Sequence, residues 1–338
     1  MEVAFDRPGP ALGYESTVTA KSIVFYVLRR IVAMAVLLLI VSFGVFSLMH
    51  LAPGDTVQVL LGTRPASPQL VASLRAQYHL NDPFFVQYLH WLADAVHLDF
   101  GRSIKLNEPV LTALGERMPI TLFYGVYAFI ISTVVGVSLG VLAAVKKRSV
   151  FDRGAVAGAV LGVSAPTYAV GLVLLYAFAL QLGWFPVIGP GSGFADRFWH
   201  LTLPAITLAT TGTALTMKMT RAALIDALDQ DAVFFARARG VSGRRILFVY
   251  GLRNALMPII TAAGIVLTVM FTGAVLTEVT FALPGVGTLL IDSISSKDIP
   301  MVQGTTLLVA VLVVAVNLII DLLYLVVDPR VRITGSLQ

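Results

Sequence analysis

Apolar residues in this chain fall into blocks of roughly the length that crosses a lipid bilayer as a helix, about 20 residues. Five runs contain no Lys, Arg, Asp or Glu: Ile31 to Met49, Pro119 to Val145, Gly154 to Ala195, Phe198 to Met217 and Asn254 to Thr277. A sixth, Ile299 to Ile320, stops at Asp321. The third run is too long for one helix, and its tail from Gly183 to Gly193 is crowded with Gly and Pro around Trp184 and Phe185. Such a tail reads as a loop with interfacial aromatics. The pattern therefore predicts a helix over about Ala155 to Leu182 there, and six spans in all.

Composition sharpens that picture. Hydrophobic residues make up 57% of the chain and charged ones 13%, against about 25% charged in a typical soluble domain. Too little charge remains to cover a soluble core, so the surrounding medium is mostly membrane lipid. The net charge of +5 is then a matter of orientation rather than of nucleic acid, which is not expected as a partner. With the N-terminus inside, inner segments hold seventeen of the 24 Lys and Arg and outer ones seven. This asymmetry puts both termini in the cytoplasm and both long loops on defined sides. There is no cysteine, which excludes disulfides and thiolate chemistry. The first apolar run, after Arg29 and Arg30, is too long for a cleaved leader and is expected to be retained.

The outer loop, Leu51 to Met118, carries apolar residues at helical spacing from Phe84 to Trp91 and predicts a short interfacial helix. The inner loop, Lys218 to Arg253, is basic. Good helix formers run from Asp229 to Gly240, which can supply a left-handed C-cap, and a second helix is expected from near Ser242. Phe234 and Phe235 fall on the short first helix. Such a pair suits a knob for a groove on a partner; an amphipathic hairpin on lipid headgroups fits the segment alone equally well.

The order of residues adds a resemblance. Ala236-Arg-Ala-Arg-Gly240 follows Asp231 and precedes Arg253-Asn-Ala-Leu-Met-Pro258. Tyr26-Val-Leu-Arg-Arg30, His50 to Asp55, Asp82-Pro, Val86-Gln-Tyr-Leu, Phe100-Gly-Arg-Ser103, Pro109-Val, Leu182 to Pro186, Pro284-Gly-Val-Gly287, and Asn317 to Arg330 stand at matching positions around it. Together they resemble permeases of binding-protein-dependent ABC importers, in the dipeptide/oligopeptide and nickel branch. Two departures from the general loop signature stand out. Phe234 and Phe235 replace its Glu and Ala, and Arg253 replaces a Pro that comes later as Pro258.

The resemblance implies an all-α polytopic membrane protein with the type I importer permease fold. Residues 1–28 would be a cytoplasmic segment and 29–118 the first span with the large external loop. Residues 119–330 would be the five-helix core, including the 218–253 coupling loop, and 331–338 a cytoplasmic tail. It also implies an inner-membrane location, transport of di- or oligopeptides, and three kinds of partner: a second homologous permease, two ATPase subunits and an external solute-binding protein. Nickel or oligosaccharide transport by the same machinery is the alternative, and an ion-coupled secondary transporter the more distant one. Asp231, Phe234, Phe235, Ala236, Arg237, Ala238, Arg239 and Gly240 would form the ATPase-coupling helix.

Other candidates are weighed on chemistry alone. Asp321 and Asn317 lie one turn apart on one face of the last span, where an ionisable group is costly. Asp321 reads chiefly as a polar contact to a neighbouring helix or to Arg330. Glu278 either lines a substrate path or reaches headgroups. Gly136-Val-Ser-Leu-Gly140 has the letters of a nucleophile elbow but lies in an apolar helix, where small residues at that spacing mean close packing. His90 and His97, seven apart, raise a metal site that nothing nearby supports, so no metal is expected. No phosphate-binding Gly-rich loop occurs. No catalytic residue or cofactor is therefore assigned to this chain, and ATP and Mg would be bound by the partner subunits.

Overall fold

The computed structural model describes residues 20–51, 57, 61, 67–77 and 79–327. The terminal segments, Ala52 to Asp55, and Arg330 lie outside them. Eleven named helices follow in chain order: α1 (Ala20–Leu51), α2 (Pro68–Gln77), α3 (Phe84–Val96), α4 (Val110–Val145), α5 (Val150–Ser164), α6 (Thr167–Leu174), α7 (Gly193–Leu228), α8 (Asp231–Ala238), α9 (Arg253–Thr280), α10 (Val286–Ser295) and α11 (Ile299–Val327). A π-helical stretch, Leu175–Gln181, continues α6. A helical turn, Gly243–Arg245, passes through a second π-helical stretch, Ile246–Leu252, into α9.

Four described helices are long and apolar enough to cross a membrane, in α1, α4, the Gly243–Met270 stretch and α11. The bent pair α5 and α6 makes a fifth if counted as one span. Two expectations need correcting here. The single helix over Ala155 to Leu182 is broken, its halves bent by 107°. Pro166 explains the break: it lacks an N–H and forces Ala165 out of the helical region, to φ −74 and ψ 129. The span over Phe198 to Met217 lies within α7, whose seven threonines keep it below the hydropathy of the others. Among the described residues four or five spans qualify by length and apolarity, so the expected count of six is not confirmed.

The threonines of α7 have a packing reason. α4 and α7 form the most extensive helix pair in the fold. A Cβ on Gly136 would stand 2.7 Å from Thr216 Cβ, one on Gly140 2.7 Å from Thr220 Cβ, and one on Gly212 2.7 Å from Ser132 Oγ. Small residues at 132, 136 and 140 thus meet 212, 216 and 220 at a constant offset, so the helices run parallel with backbones in close approach. The expected packing role of Gly136 and Gly140 is what the fold displays.

The bundle has two ends. At the basic end, the Lys146 to Arg153 turn meets the C-terminal end of α7. At the far end, α3, the start of α4, α10 and the start of α11 share a core of Phe100, Val110, Leu114, Val286, Leu289 and Met301. α1 and α11 are antiparallel neighbours: Arg30 pairs with Asp321 near the basic end, while Gln303 reaches the Val45 and Phe46 carbonyls at 3.5 Å near the other. The predicted helix from Phe84 forms, and its Phe84, Tyr88 and Trp91 rings pack on Phe46 of α1.

Candidate coupling site at the basic end

α8 is a short helix on a firm seat. Val233 and Ala236 are 1% and 2% exposed and pack with Ile246, under Leu228, Val241 and Tyr250. The opposite side of the helix carries Phe234 and Phe235, 70% and 60% exposed, their rings edge to face at 5.8 Å. Period 3.6 explains the division, since positions 233 and 236 share a face that 234 and 235 do not. Asp231, Arg237, Ala238 and Arg239 are also exposed. Ala236 belongs to the seat rather than to the surface.

The helix ends as the glycine predicted. Gly240 sits at φ 74, Val241 N donates to Ala236 O at 3.1 Å, and Gly240 N donates to Arg237 O at 2.9 Å. These two bonds and the Val241 contact complete a Schellman cap. A Cβ at Gly240 would meet open space, so the backbone angle alone calls for glycine. Ser242 then begins the second helix, as expected.

Three contacts brace the basic end around this hairpin, none of them foreseen from the sequence. Lys147 Nζ pairs with Asp229 Oδ2 at 2.9 Å, linking the α4–α5 turn to the C-cap residue of α7, two positions before α8. Arg221 grips Asp152 with both arms of its guanidinium, Nε to Oδ1 and Nη2 to Oδ2; Asp152 is buried. Gly251 lets the π-helical stretch press on α7, where an added Cβ would stand 2.8 Å from Leu224 Cδ1. Opposite charges in the two basic loops were visible in the sequence, but not which would meet.

The polar candidates within the helices resolve differently. Asp321 pairs with Arg30 and so joins the last helix to the first; Arg330 lies outside the described residues. Asn317 lies half-buried one turn before it. Glu278 is wholly buried at the far end of α9. It accepts from Thr121 Oγ1 at 2.6 Å, Tyr124 OH at 3.1 Å and the Thr288 N–H at 3.0 Å. A carboxylate at the N-terminus of α10 is favoured by the helix dipole and its free N–H groups. Gly285 and Gly287 make room for it: a Cβ on Gly285 would overlap the carboxyl carbon at 2.1 Å. Glu278 thus neither faces headgroups nor lines an open path in this structure; it fastens α4, α9 and α10.

The chain matches the family described as binding-protein-dependent transport system inner membrane component over residues 136–333. It matches the N-terminal region of such membrane components over residues 23–124. It belongs to this family. The probable peptide ABC transporter permease protein y4tP of Sinorhizobium fredii is 39% identical over 310 residues, covering 91% of this chain and 99% of that one. The dipeptide transport system permease protein DppB of Escherichia coli K12 is 37% identical over 333 residues, covering 91% and 98%. The fold is similar to a chain of the MetNI methionine ABC transporter in an inward-facing conformation, with TM-score 0.53 and 17% identity over 64% of this chain and 97% of that one.

Membership makes the protein a multi-pass inner-membrane permease component. The short helix with Phe234 and Phe235 has a seat that is continuous with the α7 and α9 backbones.

Proposed function

We propose that this chain is one of two homologous permeases forming the path of an ATP-driven importer for di- or oligopeptides. The basic end is cytoplasmic, with both termini on that side, and the far end faces an external solute-binding protein. Two ATPase subunits dock from the cytoplasm, bind ATP and Mg, and perform the hydrolysis; lipid surrounds the rest. The peptide substrate is supported by relatives whose names specify peptides and dipeptides and which align along nine-tenths of the chain.

The observation that carries the coupling role is the split character of α8. One face is packed into the bundle and the other presents two bare aromatic rings flanked by Asp231, Arg237 and Arg239. An exposed aromatic pair in a soluble loop is costly unless a partner covers it, and a short helix laid into a groove is a common way to do so. Arg237 and Arg239, which carry no ion pair among the described residues, remain available to acidic groups on the ATPase. Closure of the ATPase pair would push on α8, and its seat would pass the displacement to α7 and α9. Any such switch requires contacts that differ between the two states.

The test has two parts. Tagged chain extracted gently from its native membrane should bring down ATPase subunits and a second permease, identified by mass spectrometry. Gly240→Pro should then leave the chain in the membrane while uptake of labelled dipeptide stops and ATP hydrolysis no longer responds to the binding protein. A chain that purifies alone and moves solute under an ion gradient without ATP would overturn the proposal.

A further inference from the structure

We propose that the far end of this chain holds a binding site for one divalent transition-metal ion, of the Zn2+ type, formed by His79, Asp82 and His90. The His79 and His90 rings are stacked, centroids 4.2 Å apart and planes 9° from parallel. His79 Nδ1 stands 3.4 Å from Asp82 Oδ2. One donor atom from each of the three residues lies within 4.8 Å of the other two. Zinc binds nitrogen and carboxylate oxygen at about 2.0–2.2 Å, which puts tetrahedral donors roughly 3.4 Å apart. The His79 and Asp82 pair already has that spacing. His90 is solvent-exposed, so a side-chain rotation that splays the stack can bring its nitrogen in. Two imidazoles and a carboxylate with a remaining open position are a ligand set for zinc or its neighbours rather than for calcium or magnesium.

The backbone is shaped to bring these groups together. His79 holds a left-handed conformation, φ 51, in the turn after α2. The turn closes with Asp82 N donating to His79 O at 3.0 Å. Gln87 of α3 then pins it, its amide Nε2 donating to Asp82 O at 2.8 Å. His90 follows Gln87 by one helical turn, and Asp94 follows His90 by another, on the same side of α3.

A second feature is independent of the cluster. His79, His90, Gln87, Asp94 and Asp99 border a cavity of about 390 Å³. Gln87 is 7% exposed, and its Oε1 has no hydrogen-bond partner among the described residues. A buried acceptor left without a donor is costly. Beside two acidic side chains, it favours a cation, or the water carried on one, in the adjoining space. Arg102 also borders the cavity and is held by its bond to Asn107 O at 2.7 Å.

The sequence had pointed to the other histidine pair, His90 with His97, and no metal was expected. His97 instead turns its Nδ1 back to Ala93 O at 2.8 Å, and the partner of His90 comes from the turn that follows α2. The site needs nothing from the transport cycle, so a chain that moved no peptide would still bind the ion.

The measurement is zinc content by mass spectrometry of the full-length chain, purified without a polyhistidine tag, equilibrated with micromolar Zn2+ and desalted. Wild type and His97→Gln should each retain one ion per chain more than His90→Gln and His79→Gln. Co2+ in place of Zn2+ should give visible ligand-field bands that the latter two variants lack. Equal zinc in wild type and both variants would overturn the site. Should either variant fold poorly, zinc protection of His79 and His90 from diethyl pyrocarbonate in the wild-type chain decides the matter. Protection of both supports the site, and unchanged modification rates overturn it.

Discussion

The two ends of this bundle treat the same kinds of residue in opposite ways. At the far end one set of aromatic and acidic groups is used internally: Tyr88 and Trp91 pack on Phe46, and Glu278 is enclosed by Thr121, Tyr124 and the start of α10, while Phe85 and Phe194 stay exposed. At the basic end Phe234, Phe235 and Asp231 are left bare on a helix whose other face is buried. Groups enclosed in this way hold the far end in shape, the buried Gln87 Oε1 being the exception. An end that leaves aromatic rings exposed on a firm seat is built to be held by something else. The contrast predicts that substitutions at the far end change stability, whereas those on the bare face of α8 change association.

The largest effect is expected at Glu278. Removing the carboxylate strands the Thr121 hydroxyl and the Thr288 N–H at the start of α10 in a buried setting, at about 1–3 kcal/mol for each unsatisfied group, while the Tyr124 hydroxyl keeps Ala274 O at 3.0 Å. Glu278→Ala should therefore destabilise the chain by on the order of 3 kcal/mol, read as a lower unfolding temperature in detergent. Glu278→Gln keeps an acceptor but loses the charge at the helix N-terminus, and should fall between. Wild-type thermal stability in both variants, with only uptake reduced, would make Glu278 part of the path and break the comparison.

Phe235→Asp comes next, and in the opposite currency of association. An aromatic anchor at an interface contributes about 2 kcal/mol or more, roughly thirtyfold in affinity. The variant should keep wild-type abundance and unfolding temperature while ATPase subunits are lost from the pull-down and uptake falls with them. Retained pull-down with a lowered unfolding temperature would assign Phe235 to packing on the bundle instead.

How far the sequence alone could go follows the same division. Hydropathy located the apolar crossings, and α8 was readable because everything that makes it is local: helix formers, a glycine at the C-cap, and an aromatic pair between charges. What escaped depended on distance along the chain. Glu278 meets Thr121 and Tyr124 across about 150 residues, and Arg30 meets Asp321 across 291. No periodicity brings such pairs together. Pro284-Gly-Val-Gly287 was visible as a landmark, yet its reason, a cradle for Glu278, lies in another helix. The bend at Ala165 was in principle legible, because Pro166 was in plain view; the apolar run around it outweighed the missing N–H. The threonines of α7 carried no signal of their own along the chain, although Thr216 and Thr220 face Gly136 and Gly140 of α4.

Gly240→Ala sharpens the comparison on a smaller scale. The site is sterically open, so the only cost is holding a residue with a Cβ at φ 74, about 1–2 kcal/mol. Val233, Ala236 and Ile246 hold the seat regardless, so the strain should appear as fraying of the last turn of α8. Faster amide exchange confined to residues near 236–241, with unchanged exchange in α10, is the expected pattern. Exchange that quickened equally at both ends would mean the two are one cooperative unit.

The smallest effect belongs to Arg30 and Asp321, which join the first helix to the last at the basic end. Arg30 keeps 46% of its side chain exposed while Asp321 keeps 12%, so the pair is half screened, and exposed ion pairs contribute only about 0–1 kcal/mol. The asymmetry of burial nonetheless makes the two single variants unequal. Arg30→Gln strands a mostly buried carboxylate, whereas Asp321→Asn leaves an arginine that can still turn toward the headgroups. Arg30→Gln should therefore lower the unfolding temperature more than Asp321→Asn does, and the double variant should recover part of the loss. Equal single effects with no recovery would mean that the two side chains act separately, and that contacts at the far end, such as Gln303 on Phe46, hold α1 against α11 unaided.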